Sequence, residues 1–146
     1  MHRTQTAPRI LSVLAALLLL LTSLTACSGG VTREETKTAM DSLLTALAKE
    51  DYAGAAALYH PDAAMNEELL AAFVEEVKTN IGLDFTEGAT VERTTNMRSA
   101  YYDSNVGGSR YELTAKIKAG DKTATLTVEV VRNEAGYGIL TASVYP

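Results

Sequence analysis

The hydrophobic pattern changes period near residue 84, and no other feature constrains the fold as tightly. Upstream, Met40, Leu43, Leu44 and Leu47 fall at i, i+3, i+4 and i+7, one apolar stripe along a helix. Leu70, Phe73, Val74, Val77 and Ile81 trace a second such stripe. Downstream of Asp84 the period is two. Tyr111, Leu113, Ala115 and Ile117 alternate with Arg110, Glu112, Thr114, Lys116 and Lys118, the signature of a half-buried strand. Helices first and strands afterwards predict an α+β domain, with N-terminal helices packed on a curved antiparallel sheet of four to five strands.

Local signals sharpen this outline. Thr32-Arg33-Glu34-Glu35 reads as a capping box, which starts the first helix at Thr32 and carries it to about Glu50. Asp51 caps a second, shorter helix running through Tyr59, and Pro61 stops it. Asn66 caps a third, with Glu67 and Glu68 at the positive end of its dipole and Gly82 as its terminator. Ala89 and Val91 suggest one strand, and Met97 to Asp103 another, ending in the turn Ser104 to Gly108. Gly120-Asp121 is a hairpin turn leading to the inner face Ala124, Leu126, Val128 and Val130. Asn133 to Gly136 turn the chain again, towards an inner face of Leu140, Ala142 and Val144.

The chain ahead of Thr32 is of another kind. His2, Arg3 and Arg9 precede an apolar stretch from Val13 to Leu21 that ends in five consecutive leucines. It is shorter than the ~20 residues that cross a hydrocarbon core. A basic region before a short apolar one is the layout of a secretory signal peptide. Leu24-Thr25-Ala26-Cys27 follows, and it resembles the lipobox of bacterial lipoproteins. The resemblance implies cleavage between Ala26 and Cys27, a diacylglyceryl group on the Cys27 sulfur, and a cell-membrane protein facing away from the cytoplasm. Two acyl chains hold stably where one holds marginally. The expected division is therefore a leader over 1–26, the lipidated Cys27 with a short linker over 27–31, and one domain over 32–146.

Cleavage changes the charge. The 146-residue chain has a net charge of -5; losing two Arg and no acid leaves 120 residues with 11 Lys and Arg against 18 Asp and Glu, a net -7. Such a balance argues against a nucleic-acid partner and predicts attachment to the membrane through the lipid alone. Cys27 is the only cysteine, so no internal disulfide forms and the fold rests on its core.

The element order resembles the NTF2-like (cystatin-like) superfamily, in particular its small lipoprotein domains of unknown function. The likeness covers Thr32 to Tyr145 and includes Lys49-Glu50-Asp51-Tyr52-Ala53 and the aromatic-proline turn Tyr59-His60-Pro61. It implies a sheet curled into a cone that encloses a ligand, and enzymes of that superfamily place an acid, a Tyr or a His inside. Tyr59, His60, Tyr101, Tyr102 and Tyr111 are the expected pocket groups. Tyr101 and Tyr102 are adjacent, so only one of them faces inward. The expected inner faces hold no carboxylate and no His, which argues against acid–base catalysis.

Tyr59-His60-Pro61-Asp62 also resembles the His-Pro-Asp signature of J domains. The preceding segment, Asp51 to Tyr59, lacks the Lys and Arg that the signature needs, and strands follow it. His60 is expected half-exposed in a helix-ending turn. Glu67, Glu68, Glu75, Glu76, Asp62 and Asp84 are spaced as a solvated acidic face, without an Asp-rich calcium loop. No metal, cofactor or catalytic residue is expected. The expected role is a non-enzymatic binding or interaction module, for a small apolar or cell-wall-derived ligand or an envelope protein, with a homodimer through the sheet as another use. The alternatives are a cone-pocket isomerase or dehydratase, and a structural accessory subunit.

Overall fold

The computed structural model describes residues 29–101 and 107–146, the side chains of 99–101 excepted. Three helices precede a four-stranded antiparallel sheet. Helix α1 spans Arg33–Ala48 and begins with the expected capping box. The Thr32 hydroxyl accepts from the Glu35 N–H at 3.2 Å, and the Glu35 carboxylate accepts from the Thr32 N–H at 2.8 Å. Its stripe of Met40, Leu43, Leu44 and Leu47 is buried against the sheet. Helix α2 spans Tyr52–Ala56, capped by Asp51, whose carboxylate accepts from the Gly54 N–H at 2.9 Å. Helix α3 spans Glu67–Ile81, capped by Asn66 and closed by Gly82 at φ 76°.

The strands are β1 (Thr90–Tyr101), β2 (Ser109–Ala119), β3 (Lys122–Asn133) and β4 (Gly136–Tyr145), in the order β1-β2-β3-β4. Leu113, Ala115, Ile117, Leu126, Val128, Val130 and Ile139 form the face that meets the helices. The other face carries Arg93, Arg98, Arg110, Lys116 and Lys118 among Thr and Glu; the alternation expected for β2 holds.

Three local expectations change. The two strands expected over Ala89–Asp103 are one, β1. Its register slips between Val91 and Arg93 and again between Thr94 and Asn96, and these bulges break the alternation. The inner face of β4 begins at Ile139: a bulge places Ile139 opposite Val130 and Thr141 opposite Glu129, so Leu140 is the extra residue. Helix α2 stops at Ala56 and does not reach Tyr59. Pro61 holds His60 extended, at φ -64° and ψ 144°, and Leu58–His60 runs parallel to β4. The Ile139 N–H donates to the Leu58 carbonyl at 2.9 Å, and the His60 N–H donates to the Ile139 carbonyl at 2.8 Å. Two tertiary hydrogen bonds thus replace one further turn of helix.

The segment read as linker is built into the domain from Gly29 onward. Arg132 donates to the carbonyls of Gly29 and Gly30 at 3.0 and 3.3 Å, and the Val31 N–H donates to the Ser109 hydroxyl at 2.8 Å. Val31 itself is buried.

The crossing of Leu58–His60 over β4 requires Gly138. A Cβ there would stand 2.5 Å from the His60 nitrogen and 2.7 Å from the Tyr59 carbonyl carbon. Gly138→Ala is expected to lower stability by about 1–3 kcal/mol, the cost of overpacking a site that cannot relax. Chemical denaturation measures it, and an unchanged midpoint would show that the crossing can move aside.

Candidate functional site

The expected pocket residues do not converge. Tyr59 lies in the core, and burial pushes its hydroxyl up to about 12. Tyr111 is half-buried on the same face but with two strands between: the cross-sheet row runs Tyr111, Val130, Ile139, Tyr59. Three steps at ~4.8 Å separate the two rings' strands by about 14 Å. Tyr101 pairs with Ser109 in the next row, and Tyr102 lies outside the described residues.

His60 is buried at 1 % exposure, against the expected half-exposure. The cause is a closed set of hydrogen bonds. Its Nδ1 accepts from the Asp62 N–H at 3.1 Å, which leaves the proton on Nε2, 2.8 Å from the Asn133 Oδ1. That oxygen also accepts from the N–H groups of Ala135 and Gly136, at 2.9 and 3.2 Å. Both ring nitrogens are spent on tying the turn at Pro61–Ala63 to the β3–β4 hairpin. Among the described residues, no three His, Cys, Asp or Glu stand together to hold a metal, and no helix is long and apolar enough to cross a membrane.

The region between helices and sheet, where a cone pocket would lie, is filled by Met40, Leu43, Leu47, Leu113, Val128 and Ile139, each at 1 % exposure or less. The concavities lie at the rim. One of ≈ 410 Å³ runs beside α1, between Glu34, Glu35, Ala39, Ala57, Leu58 and Tyr137. Another, of ≈ 440 Å³, lies between α3 and the second half of β4, walled by Phe73, Val77, Ile81, Ala142, Val144 and Tyr145.

The second groove has an additional property. Leu58–His60 covers β4 only around Ile139, and among the described residues no strand pairs with Thr141–Tyr145 on the open side. Alternate backbone N–H and C=O groups there point outward, next to an apolar trough. Tyr145 at the end of this edge is 55 % exposed. The opposite edge, β1, is guarded by two bulges and by the exposed charges Glu92, Arg93 and Arg98. The sequence offered one trace of the groove: the apolar stripe of α3 extends to Phe73 and Ile81, which are only half-buried. The unpaired half-strand had no local signature.

Neither a protein-family model nor a curated protein matches this chain.

The outer wall of the groove depends on Asp84. Lys78, in the last turn of α3, bonds Asp84 at 2.7 Å, and Asp84 accepts from the Thr86 hydroxyl and N–H at 2.6 and 3.0 Å. This fastens α3 to the turn that buries Phe85, which packs on Phe73 with ring centroids 6.3 Å apart. The Lys78 hydrogen bond, then those from Thr86, lower the Asp84 carboxyl from 3.8 to about 2. A lowered carboxyl contributes stability that is present above its unfolded value and lost as pH falls through the folded one. Stability should therefore fall between about pH 4 and pH 2. Asp84→Asn should flatten that limb in denaturation series run across the range; parallel curves for the two proteins would assign the acid loss to other groups.

Proposed function

We propose that this protein is a lipid-anchored, extracytoplasmic binding module, and that the open half of β4 with the α3 groove is its binding site. The observation that carries the site is the juxtaposition of unpaired strand backbone with an apolar trough. An extended peptide laid along Thr141–Tyr145 would continue the sheet by one strand. Every second side chain would enter the groove against Phe73, Val77 and Ile81, and the others would face outward. The helix beside it exposes Glu67, Glu68, Glu75 and Glu76, with one Lys already paired to Asp84. The fitting partner is thus an extended segment of an envelope protein with alternating apolar residues and Lys or Arg between them. A second copy of this chain fits less well, because pairing through β4 would bring two such acidic helices together.

Support for the anchor comes from Leu24-Thr25-Ala26-Cys27 after the apolar run. Support for an NTF2-like relationship comes from the element order alone, helices ahead of a meander. A non-enzymatic role is favoured by the filled interior and by the commitment of His60 to its turn.

Two outcomes test this reading. Cys27→Ser should release the protein from the membrane fraction or leave it unprocessed; an unchanged mass and location would sink the anchor. For the site, a capped peptide of alternating Val and Lys should bind weakly and saturably, while one of alternating Val and Glu should not. Ile81→Gln, at the half-buried last residue of α3, should abolish the binding and keep the fold. Equal titration curves for the two peptides, or undiminished binding to the variant, would count against the groove.

A further inference from the structure

The net charge of -7 over residues 29–146 conceals a strong segregation. Residues 29–88, the helical part, carry four Lys and Arg against twelve Asp and Glu; residues 89–146, the sheet part, carry seven against six. The solvent face of the sheet displays Arg93, Arg98, Arg110, Lys116 and Lys118 with Glu92, Glu112 and Glu129, an excess of cations. Glu129 is nearly buried against Arg110, 3.1 Å away, and the two charges offset each other, which leaves Arg93, Arg98, Lys116 and Lys118 against Glu92 and Glu112. The side facing away from the helices is therefore the one face of this acidic molecule suited to a negatively charged surface.

The start of the domain lies at one end of the sheet, on its helix side. Gly29 is held by Arg132 at the end of β3, beside Ser109 at the start of β2. Cys27 is two residues from Gly29, a span of at most about 7 Å. A lipid on Cys27 would hold this end of the sheet at the bilayer surface. The far end of β3, at Lys122, is about 33 Å from Arg132 at ~3.3 Å per residue, so charge decides which way the molecule leans.

We propose that the solvent face of the four-stranded sheet lies against anionic lipid headgroups, with the helices and the α3–β4 groove turned away from the membrane. This orientation rests on the lipid at Cys27 proposed above. The anchor supplies proximity and one fixed end. The cations of β1 and β2 supply the lean, while the acidic helices are repelled. The groove, on the helix side at the end of β4 remote from Gly29, stays open to partners.

Lysine acylation followed by peptide mass spectrometry tests it without altering the protein. The lipidated chain is compared in detergent, on phosphatidylcholine vesicles and on phosphatidylcholine–phosphatidylglycerol vesicles. On the anionic vesicles Lys116 and Lys118 should react several-fold more slowly than in detergent, with Lys37 and Lys49 unchanged. On phosphatidylcholine alone the protection should largely disappear. Equal slowing of all four, protection of Lys37 and Lys49 instead, no protection, or protection indifferent to phosphatidylglycerol would each overturn the orientation. If the native chain carries no lipid it will not float with the vesicles, a failure of the anchor alone. The chain coupled through Cys27 to a maleimide-bearing lipid then gives the same readout for the orientation.

Discussion

Two backbone hydrogen bonds between Leu58–His60 and Ile139 set the architecture of this domain's open edge. They end α2 early, bury Tyr59, and seal the first half of β4. A short segment can seal only a short length of strand, and Pro61 turns the chain away immediately afterwards. The remainder of β4 is left as an edge. Natural sheets rarely leave such an edge flat and unguarded, because it templates pairing with other chains. Here the other edge, β1, carries bulges and charges, whereas the end of β4 faces an apolar groove. The contrast between the two edges is the structural basis for proposing the end of β4 as the binding edge.

The crossing is in turn held by polar groups that were inconspicuous in the sequence. His60, Asp62 and Asn133 join the turn after the crossing to the β3–β4 hairpin. Arg132, the neighbour of Asn133, faces the helix side and gathers the start of the domain. It bonds Glu35 at 2.6 Å, the carbonyls of Gly29 and Gly30, and lies over the Tyr137 ring at 4.9 Å. Burial alone would raise the Glu35 carboxyl. The hydrogen bonds from Arg132 and Thr32, with the Arg132 charge, outweigh it and hold that carboxyl below its ordinary value. Two consecutive residues at the end of β3 thus connect, on opposite faces, the N-terminal segment, α1, the Pro61 turn and β4.

Legibility in the sequence followed the range of the interaction. The N-caps and stripes of α1 and α3, and the alternation of β2 and β3, are local and legible with their correct faces. The end of α2, the single long β1 and the shifted face of β4 are not. Each depends on a partner distant in the chain: Ile139 for Leu58–His60, β2 for the bulged register of β1, and β3 for the extra residue Leu140. The residues expected to share a pocket are held apart for the same reason. Tyr59, His60 and Tyr111 were grouped by chemical type, but the sheet register separates Tyr59 from Tyr111 by two intervening strands. His60, next to Tyr59, bonds the Asp62 turn and Asn133.

Charge shows the same dependence on the fold. The net -7 of residues 29–146 suggests a molecule repelled from anionic lipid as a whole. Repulsion, however, depends on which charges lie within a Debye length of the surface, ~8 Å at physiological salt, and that is narrower than this domain. The helices hold most of the acids, and the sheet face turned away from them holds Arg93, Arg98, Lys116 and Lys118. An anchored domain with this distribution experiences a torque as well as a net force. In the proposed orientation the acidic layer would be driven outward and the sheet face inward, leaving the α3–β4 groove on the side away from the membrane.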